Sequence, residues 1–193
     1  IRPNLIDYQA ERAGFSWAAA RRSLDGLPGG RGLNIAHEAV DRHAAGPRSS
    51  RVALRWRGRD GASQDLTYAQ LRDATGRFAN VLAQLGVDAG DRVFLLSGRI
   101  PTLYVALLGA LKHRCVVTPL FSAFGPEPIA TRINLGAGKV LVTTTSLYRR
   151  KVESLRAALP GLRHVLLVRP DDSVPLPPGT SSFPGLLQAA GPR

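Results

Sequence analysis

Three hydrophobic patterns follow one another along this chain. Val52, Leu54 and Trp56 alternate with Arg51, Arg55 and Arg57, the period of a half-buried strand. Gly58-Arg59-Asp60-Gly61 is turn chemistry, so Gln64–Thr67 is predicted to return as the second strand of a hairpin. A helical period then takes over, with Leu71, Ala74, Phe78, Val81, Leu82 and Leu85 at spacings of three and four. Thr67 and Gln70 fit a capping box at its start, and Gly86 stops it. Beyond Gly86 the pattern becomes regular. Short apolar runs at 93–96, 115–119, 140–143 and 165–168 recur roughly every two dozen residues. Helices are predicted between them, from Pro101 to Lys112, from Pro126 to Leu135, and from Ser146 to Leu159 with Tyr148, Val152, Leu155 and Leu159 inward. Continuous rather than alternating apolar strands imply burial on both faces. The predicted fold is therefore α/β: a parallel sheet of about four βα units, covered by helices on both faces and preceded by the hairpin and N-terminal helices.

The flanks are less regular. Residues 1–50 read as a helical and irregular extension. Within it, Phe15–Leu24 is a short helix, and Asn34 caps a second helix to about His43 with Ile35, Ala39 and Val40 on its inner face. Residues 51–169 form the α/β unit. Residues 170–193, rich in proline, read as a connecting segment holding a short helix from Phe183 to Ala190.

Composition narrows the chemistry. The 193 residues suffice for one sizeable core. The net charge is +12, yet only Lys112, Lys139 and Lys151 of the 26 basic residues are lysines. An arginine bias of this kind reflects genome composition as readily as nucleic-acid binding, and phosphorylated small molecules suit a basic surface as well as DNA does. No aromatic platform is interleaved with the strand arginines on the exposed side. The single cysteine, Cys115, excludes an internal disulfide and reads as buried and inert. His37 and His43 lack the companions a metal site requires. The longest near-apolar stretch, Leu103–Leu111, is far below the roughly 20 residues of a membrane span, and no secretory signal is present, so a cytoplasmic protein is expected. No Met occurs, even at position 1, so the first residue is read as a boundary rather than a natural start.

A parallel sheet points all its strands one way, so three loops share its carboxyl edge: 97–100, 121–125 and 143–146. The middle loop follows an apolar run, Cys115–Leu120, read as a buried strand, and precedes a helix start at Pro126-Glu127. The third opens a helix carrying Arg149-Arg150-Lys151. Two readings of these cations stand: a phosphate site beside a helix start, or a solvated helix face. Leu27-Pro28-Gly29-Gly30-Arg31-Gly32 lacks the Lys-Ser/Thr and the preceding strand of a phosphate loop. No nucleophile elbow, His-Glu-x-x-His or paired loop carboxylates occur, and Glu127 reads as a first-turn acid favourable to the helix dipole.

Ordered short motifs carry a family resemblance. They include Asn4-Leu5-Ile6-Asp7-Tyr8, Phe15-Ser16-Trp17, Leu66-Thr67-Tyr68, Gly90-Asp91-Arg92-Val93, Pro119-Leu120-Phe121-Ser122-Ala123-Phe124-Gly125-Pro126-Glu127 and Leu147-Tyr148-Arg149-Arg150-Lys151. Together they resemble the N-terminal part of acetyl-CoA synthetases, AMP-forming enzymes of the adenylate-forming superfamily. The resemblance implies a two-step reaction: acetate and ATP give acetyl-adenylate and diphosphate with Mg²⁺ assisting, and CoA then displaces AMP. It implies that the ATP-phosphate loop, the nucleoside contacts and a catalytic lysine lie beyond residue 193, since neither 143–146 nor 180–182 has the glycines to replace that loop. The segment alone is then inactive, and its partners are acetate, ATP, CoA and the remainder of a ligase chain. By the same resemblance Phe121, Ser122 and Ala123 touch CoA, and Arg149 meets its nucleotide phosphate, with Arg150 and Lys151 as substitutes for a second family arginine that falls at Val152. Two further departures stand out. Ser122-Ala123 replace a common Gly-Gly, and His113-Arg114 replace a glycine helix stop at a strain of about 1 kcal/mol. A stand-alone CoA- or nucleotide-binding module and a basic nucleic-acid-binding protein are the alternatives. An incomplete sheet with apolar faces is also expected to self-associate or adapt.

Overall fold

The computed structural model describes residues 3, 5–168 and 175–191. Two short helices open it, α1 (Tyr8–Gly14) and α2 (Trp17–Arg22). Asp7 caps α1, its carboxylate accepting from the Gln9 and Ala10 N–H groups, and Ser16 caps α2. Neither helix buries a side chain. α2 is the expected Phe15–Leu24 helix, whereas α1 has no apolar face for a periodicity to reveal. Asn34 does cap the next helix, accepting from Ala36 and His37 and donating to the distant Leu111 carbonyl at 2.9 Å. That helix winds through a π turn (His37–Asp41) into α3 (Arg42–Ala44). The expected inner face is corrected here. Ala36, Val40 and Ala44 are buried while Ile35 is 62% exposed, because the wider π turn aligns residues four apart instead of three and four.

β1 (Val52–Arg57) and β2 (Ser63–Thr67) form the antiparallel hairpin, with a bulge between Val52 and Leu54 that turns Val52 outward. Asp65 pairs with Arg55 at 2.8 Å and with Arg57 at 3.7 Å, so the arginine stripe is partly neutralised across the hairpin. α4 (Tyr68–Gln84) begins with the complete Thr67/Gln70 capping box and ends before Gly86, whose φ of 67° only glycine adopts without strain.

The main sheet is wholly parallel: β3 (Arg92–Leu96), β4 (Val116–Pro119), β5 (Gly138–Thr144), β6 (His164–Val168) and β7 (Ser181–Ser182), in the spatial order β4-β3-β5-β6-β7. α5 (Pro101–Lys112), α6 (Pro126–Leu135), α7 (Thr145–Lys151) and α8 (Phe183–Ala189) connect and cover it. Alternate side chains of each central strand enter opposite cores. Val93, Leu95, Val140, Val142 and Leu166 meet Phe78 of α4, Ala106 of α5 and Phe183. Phe94, Leu96, Leu141, Val165 and Leu167 meet Ile129, Ile133 and Tyr148 of α6 and α7. Two apolar faces are why these strands read as continuous runs. Gly109 lets α5 lie against α4, since a Cβ there would stand 2.9 Å from Phe78.

Three details differ from the expectation, and a fourth bears it out. Among the described residues the sheet has five strands, the fifth being two serines with no apolar signature. The run at 115–120 is not a buried strand: β4 has one neighbour among the described residues, and Val116 is 51% exposed although Cys115 and Leu120 are buried. The helix expected over 146–159 breaks at Val152 (φ −125°, ψ −37°) into α7 and a 3₁₀ segment (Glu153–Ala158), leaving Leu155 only half-buried. Arg114, where a helix-stopping glycine was expected in relatives, does take the left-handed conformation at φ 64°. The connector residues 169–174 and the motif residue Asn4 lie outside the described residues, whereas the short helix expected from Phe183 is present as α8 and packs on the core.

Candidate functional site

The order β4-β3-β5 contains a topological switch point. The chain leaves β3 through α5 on one face and leaves β5 through α7 on the other, so the two connections diverge at the carboxyl ends of neighbouring strands. The 97–100 loop borders this divide and is tied to the hairpin by Trp56, whose indole N–H donates to the Arg99 carbonyl at 2.6 Å.

Beside it, after β4, lies the 121–125 loop. The Leu120 N–H donates to Leu95 O at 2.7 Å, extending the strand pairing up to the residue before the loop. A tight turn follows, closed by Phe124 N–H on Phe121 O at 3.0 Å. Phe124 folds inward under the Arg132 guanidinium, 4.3 Å from its ring centroid. Phe121 meets Phe124 edge-to-face at 5.7 Å and remains 66% exposed. Ala123 is exposed and Ser122 half-buried. A cleft of about 460 Å³ runs beneath the loop, bordered by Phe94, Leu120, Phe121, Phe124, Arg132 and Leu135. The site therefore presents an apolar floor, an outward aromatic ring and a nearby guanidinium.

The third loop divides by depth. Thr143 is completely buried in β5, and neither its hydroxyl nor that of Thr145 has a hydrogen-bond partner among the described residues. Thr144 caps α7, accepting from Leu147 N–H at 3.3 Å. The three cations of α7 separate by helical angle. Arg149 and Arg150 are exposed; Arg150 Nε donates to Ser146 O at 3.2 Å, and Arg149 makes no hydrogen bond or ion pair among the described residues. Lys151 turns inward, three and four residues beyond the buried Tyr148 and Leu147, and its ammonium donates to Ser122 O at 2.7 Å and Phe124 O at 2.6 Å. Of the six residues singled out in the sequence, Phe121, Ser122, Ala123 and Lys151 thus form one connected unit, with Arg149 and Arg150 on the outer face of the same helix. Arg132 was missed. Its signal was its place one turn before the end of the helix that follows the loop.

A larger cavity of about 640 Å³ lies in the N-terminal extension beside the glycine-rich 26–32 turn. Its amides are already engaged by a carboxylate: Glu38 accepts from Gly26 N–H at 2.7 Å and Asp25 N–H at 3.2 Å, and pairs with Arg42 at 2.6 Å. Partial burial pushes the Glu38 pKa up, but these donors and the Arg42 charge outweigh it and hold the group below the usual carboxylate range. Among the described residues no three His, Cys, Asp or Glu side chains gather as a metal site, and no helix is long and apolar enough to cross a membrane.

Known proteins resemble this chain in sequence and fold. The acetyl-coenzyme A synthetase of Bacillus subtilis is 36% identical over 167 residues, spanning 86% of this chain and 28% of the relative. The Streptomyces coelicolor acetyl-coenzyme A synthetase is 37% identical over 71% of this chain and 22% of its own length. An acyl-CoA synthetase from Brucella canis superposes with a TM-score of 0.82 at 34% identity, covering 95% of this chain and 32% of that one. The Streptomyces lividans acetoacetyl-CoA synthetase gives 0.73 at 31% identity over 82% and 25%. The chain thus spans under a third of the length of these relatives. The family model for AMP-binding enzymes matches residues 40–183, from the helix before the hairpin to the start of α8, and with that match the chain belongs to the AMP-binding enzyme family.

Proposed function

We propose that this chain is the N-terminal segment of an AMP-forming acetate–CoA ligase and supplies the scaffold and one wall of its CoA site. The observation that carries this reading is the 121–125 loop, which projects the Phe121 ring outward at the carboxyl edge of the parallel sheet. Phe121, Ser122 and Ala123 form the wall against which the CoA nucleotide lies, the aromatic ring offering its face to the adenine. Arg149, exposed and uncommitted among the described residues, reaches the nucleotide phosphate, and Arg150 beside it reinforces the positive field. Lys151 acts on the same site from beneath the loop.

In the complete ligase, adenylation joins an acetate oxygen to the α-phosphorus of ATP and expels diphosphate. The CoA thiolate then attacks the acetyl carbon and AMP leaves. This segment's residues bind and orient CoA for the second step. In this reading the groups for ATP and Mg²⁺ belong to the remainder of the ligase. The 193 residues alone are expected to form no acetyl-CoA.

The test is Arg149→Ala in the full-length ligase. It should raise the KM for CoA about tenfold, the loss of one charge-assisted hydrogen bond. Acetate-dependent pyrophosphate exchange, which reports adenylation, should be unaffected. An unchanged KM for CoA refutes the site. Calorimetry of CoA with the isolated chain separates the alternatives: submillimolar binding favours a stand-alone module, and its absence favours a wall completed by other residues.

A further inference from the structure

Three lysines occur in the chain. Lys112 pairs with Asp41 at 2.7 Å and Lys139 with Asp91 at 2.5 Å, each an ordinary ion pair. Lys151 differs. Its ammonium is half-buried, meets no carboxylate among the described residues, and donates to two backbone carbonyls, Ser122 O at 2.7 Å and Phe124 O at 2.6 Å. Those carbonyls belong to residues two apart in a turn that has one backbone hydrogen bond of its own, Phe124 N–H to Phe121 O. A single cation collects both only if the carbonyls converge on it, and that convergence defines the turn. In the turn so held, Phe121 and Ala123 are exposed while Ser122 and Phe124 are half-buried.

We propose that Lys151 is a positioning residue: by clasping the Ser122 and Phe124 carbonyls, it sets the shape of the 121–125 loop and so the presentation of Phe121 to the CoA nucleotide. The functional half of this inference rests on the CoA reading above; the clasp itself does not. The clasp answers a local need. One backbone hydrogen bond closes the turn, so contacts from neighbouring helices supply the rest of its support. Arg132 stacked on Phe124 supports the loop from the α6 side, and Lys151 supports it from the α7 side. The two hold the inward half of the loop and leave the outward half to a ligand.

The clasp is tested by hydrogen exchange on the chain itself. Lys151→Met keeps the apolar stem and removes both donors, so amides of 121–125 should exchange about tenfold faster, while those of α4 keep their protection. Lys151→Arg, which retains charge and reach, should restore most of that protection. Equal protection of 121–125 in wild type and Lys151→Met overturns the clasp. So does acceleration spread evenly over the chain, which reports lost stability instead of a local contact. Should the Met variant fail to fold, Lys151→Gln, uncharged but still a donor, must show the same local acceleration to a smaller degree. In the full-length ligase Lys151→Met should raise the KM for CoA about tenfold with pyrophosphate exchange intact, and an unaltered KM beside a loosened loop removes the functional half. If instead Arg149→Ala leaves the KM for CoA unchanged, the CoA reading fails and the exchange data still decide the clasp.

Discussion

Thr143 offers a demanding test of the packing at the switch point. Its side chain is wholly buried, in register between Leu96 of β3 and Leu167 of β6. The hydroxyl has no partner among the described residues. A buried hydroxyl without a hydrogen bond loses about 1–3 kcal/mol relative to water. Valine has the same branched shape with a methyl in place of the hydroxyl, and it favours strands. Thr143→Val should therefore stabilise the chain by about 1–2 kcal/mol. At this chain length 1 kcal/mol shifts the melting midpoint by about 2–4 °C, so a rise of about 2–8 °C is expected. Thr75 is the control. It is equally buried, but its hydroxyl donates to Leu71 O at 2.8 Å and Arg72 O at 3.0 Å, so Thr75→Val should gain nothing or lose up to about 1 kcal/mol. Urea unfolding followed by circular dichroism gives both values, provided the slopes match wild type. A Thr143→Val chain less stable than wild type by 1 kcal/mol or more refutes the argument, since it shows that the hydroxyl is paired.

Other expectations follow from local geometry. Arg114 sits at φ 64° and closes α5, so Arg114→Gly should raise stability by about 1 kcal/mol in the same unfolding assay; a loss would mean that its side chain anchors the turn. The Lys139 ammonium beside Asp91, helped by the Asp88 N–H and the Arg92 charge and opposed by burial, holds the Asp91 carboxyl below its usual range. A depressed folded pKa contributes stability above the unfolded value of about 3.9 and loses it as pH falls through the folded value. The gap between wild type and Asp91→Asn should accordingly be full at neutral pH and shrink in acid below about pH 4; a pH-independent gap contradicts this. Burial pushes the Cys115 thiol up to about 11, so a disulfide reagent at mildly alkaline pH should label it only on unfolding, and rapid labelling of the native chain would contradict its burial.

What the sequence reveals is governed by how local each cause is. α4 was legible to within a residue at its start because three nearby signals agree: the Thr67/Gln70 box, the apolar stripe and Gly86. The strands of the parallel sheet were legible because burial on both faces removes polar positions from each run. Their order was not. An edge and a central strand can have equal apolar content, so nothing in 115–120 announced that β4 has one neighbour among the described residues. β7 escaped because its two serines join the sheet through backbone bonds to β6 and contribute no hydrophobic pattern. The candidate site divided similarly. The aromatic loop and the cationic turn were visible as residue types. The inward turn of Lys151 depends on which neighbours α7 packs against, and so does the stacking of Arg132 on Phe124.

The seating of α8 bears on how the chain folds as it is made. Phe183 lies 4.9 Å, ring to ring, from Phe78, and Arg77 and Asn80 of α4 donate to the carbonyls of Ala190 and Gly191. The polar and apolar partners of one α4 face are thus synthesised about a hundred residues after it. At about 5–20 residues per second, α4 and the hairpin leave the ribosome several seconds before the segment that covers them. Over that interval Phe78 and its neighbours are open to chaperones or to nascent chains on the same message. The arrival of α8 thereby times the covering of this face of α4. Variants that weaken the α8 contact are expected to lower the yield of folded protein in cells more than they lower its stability in the test tube.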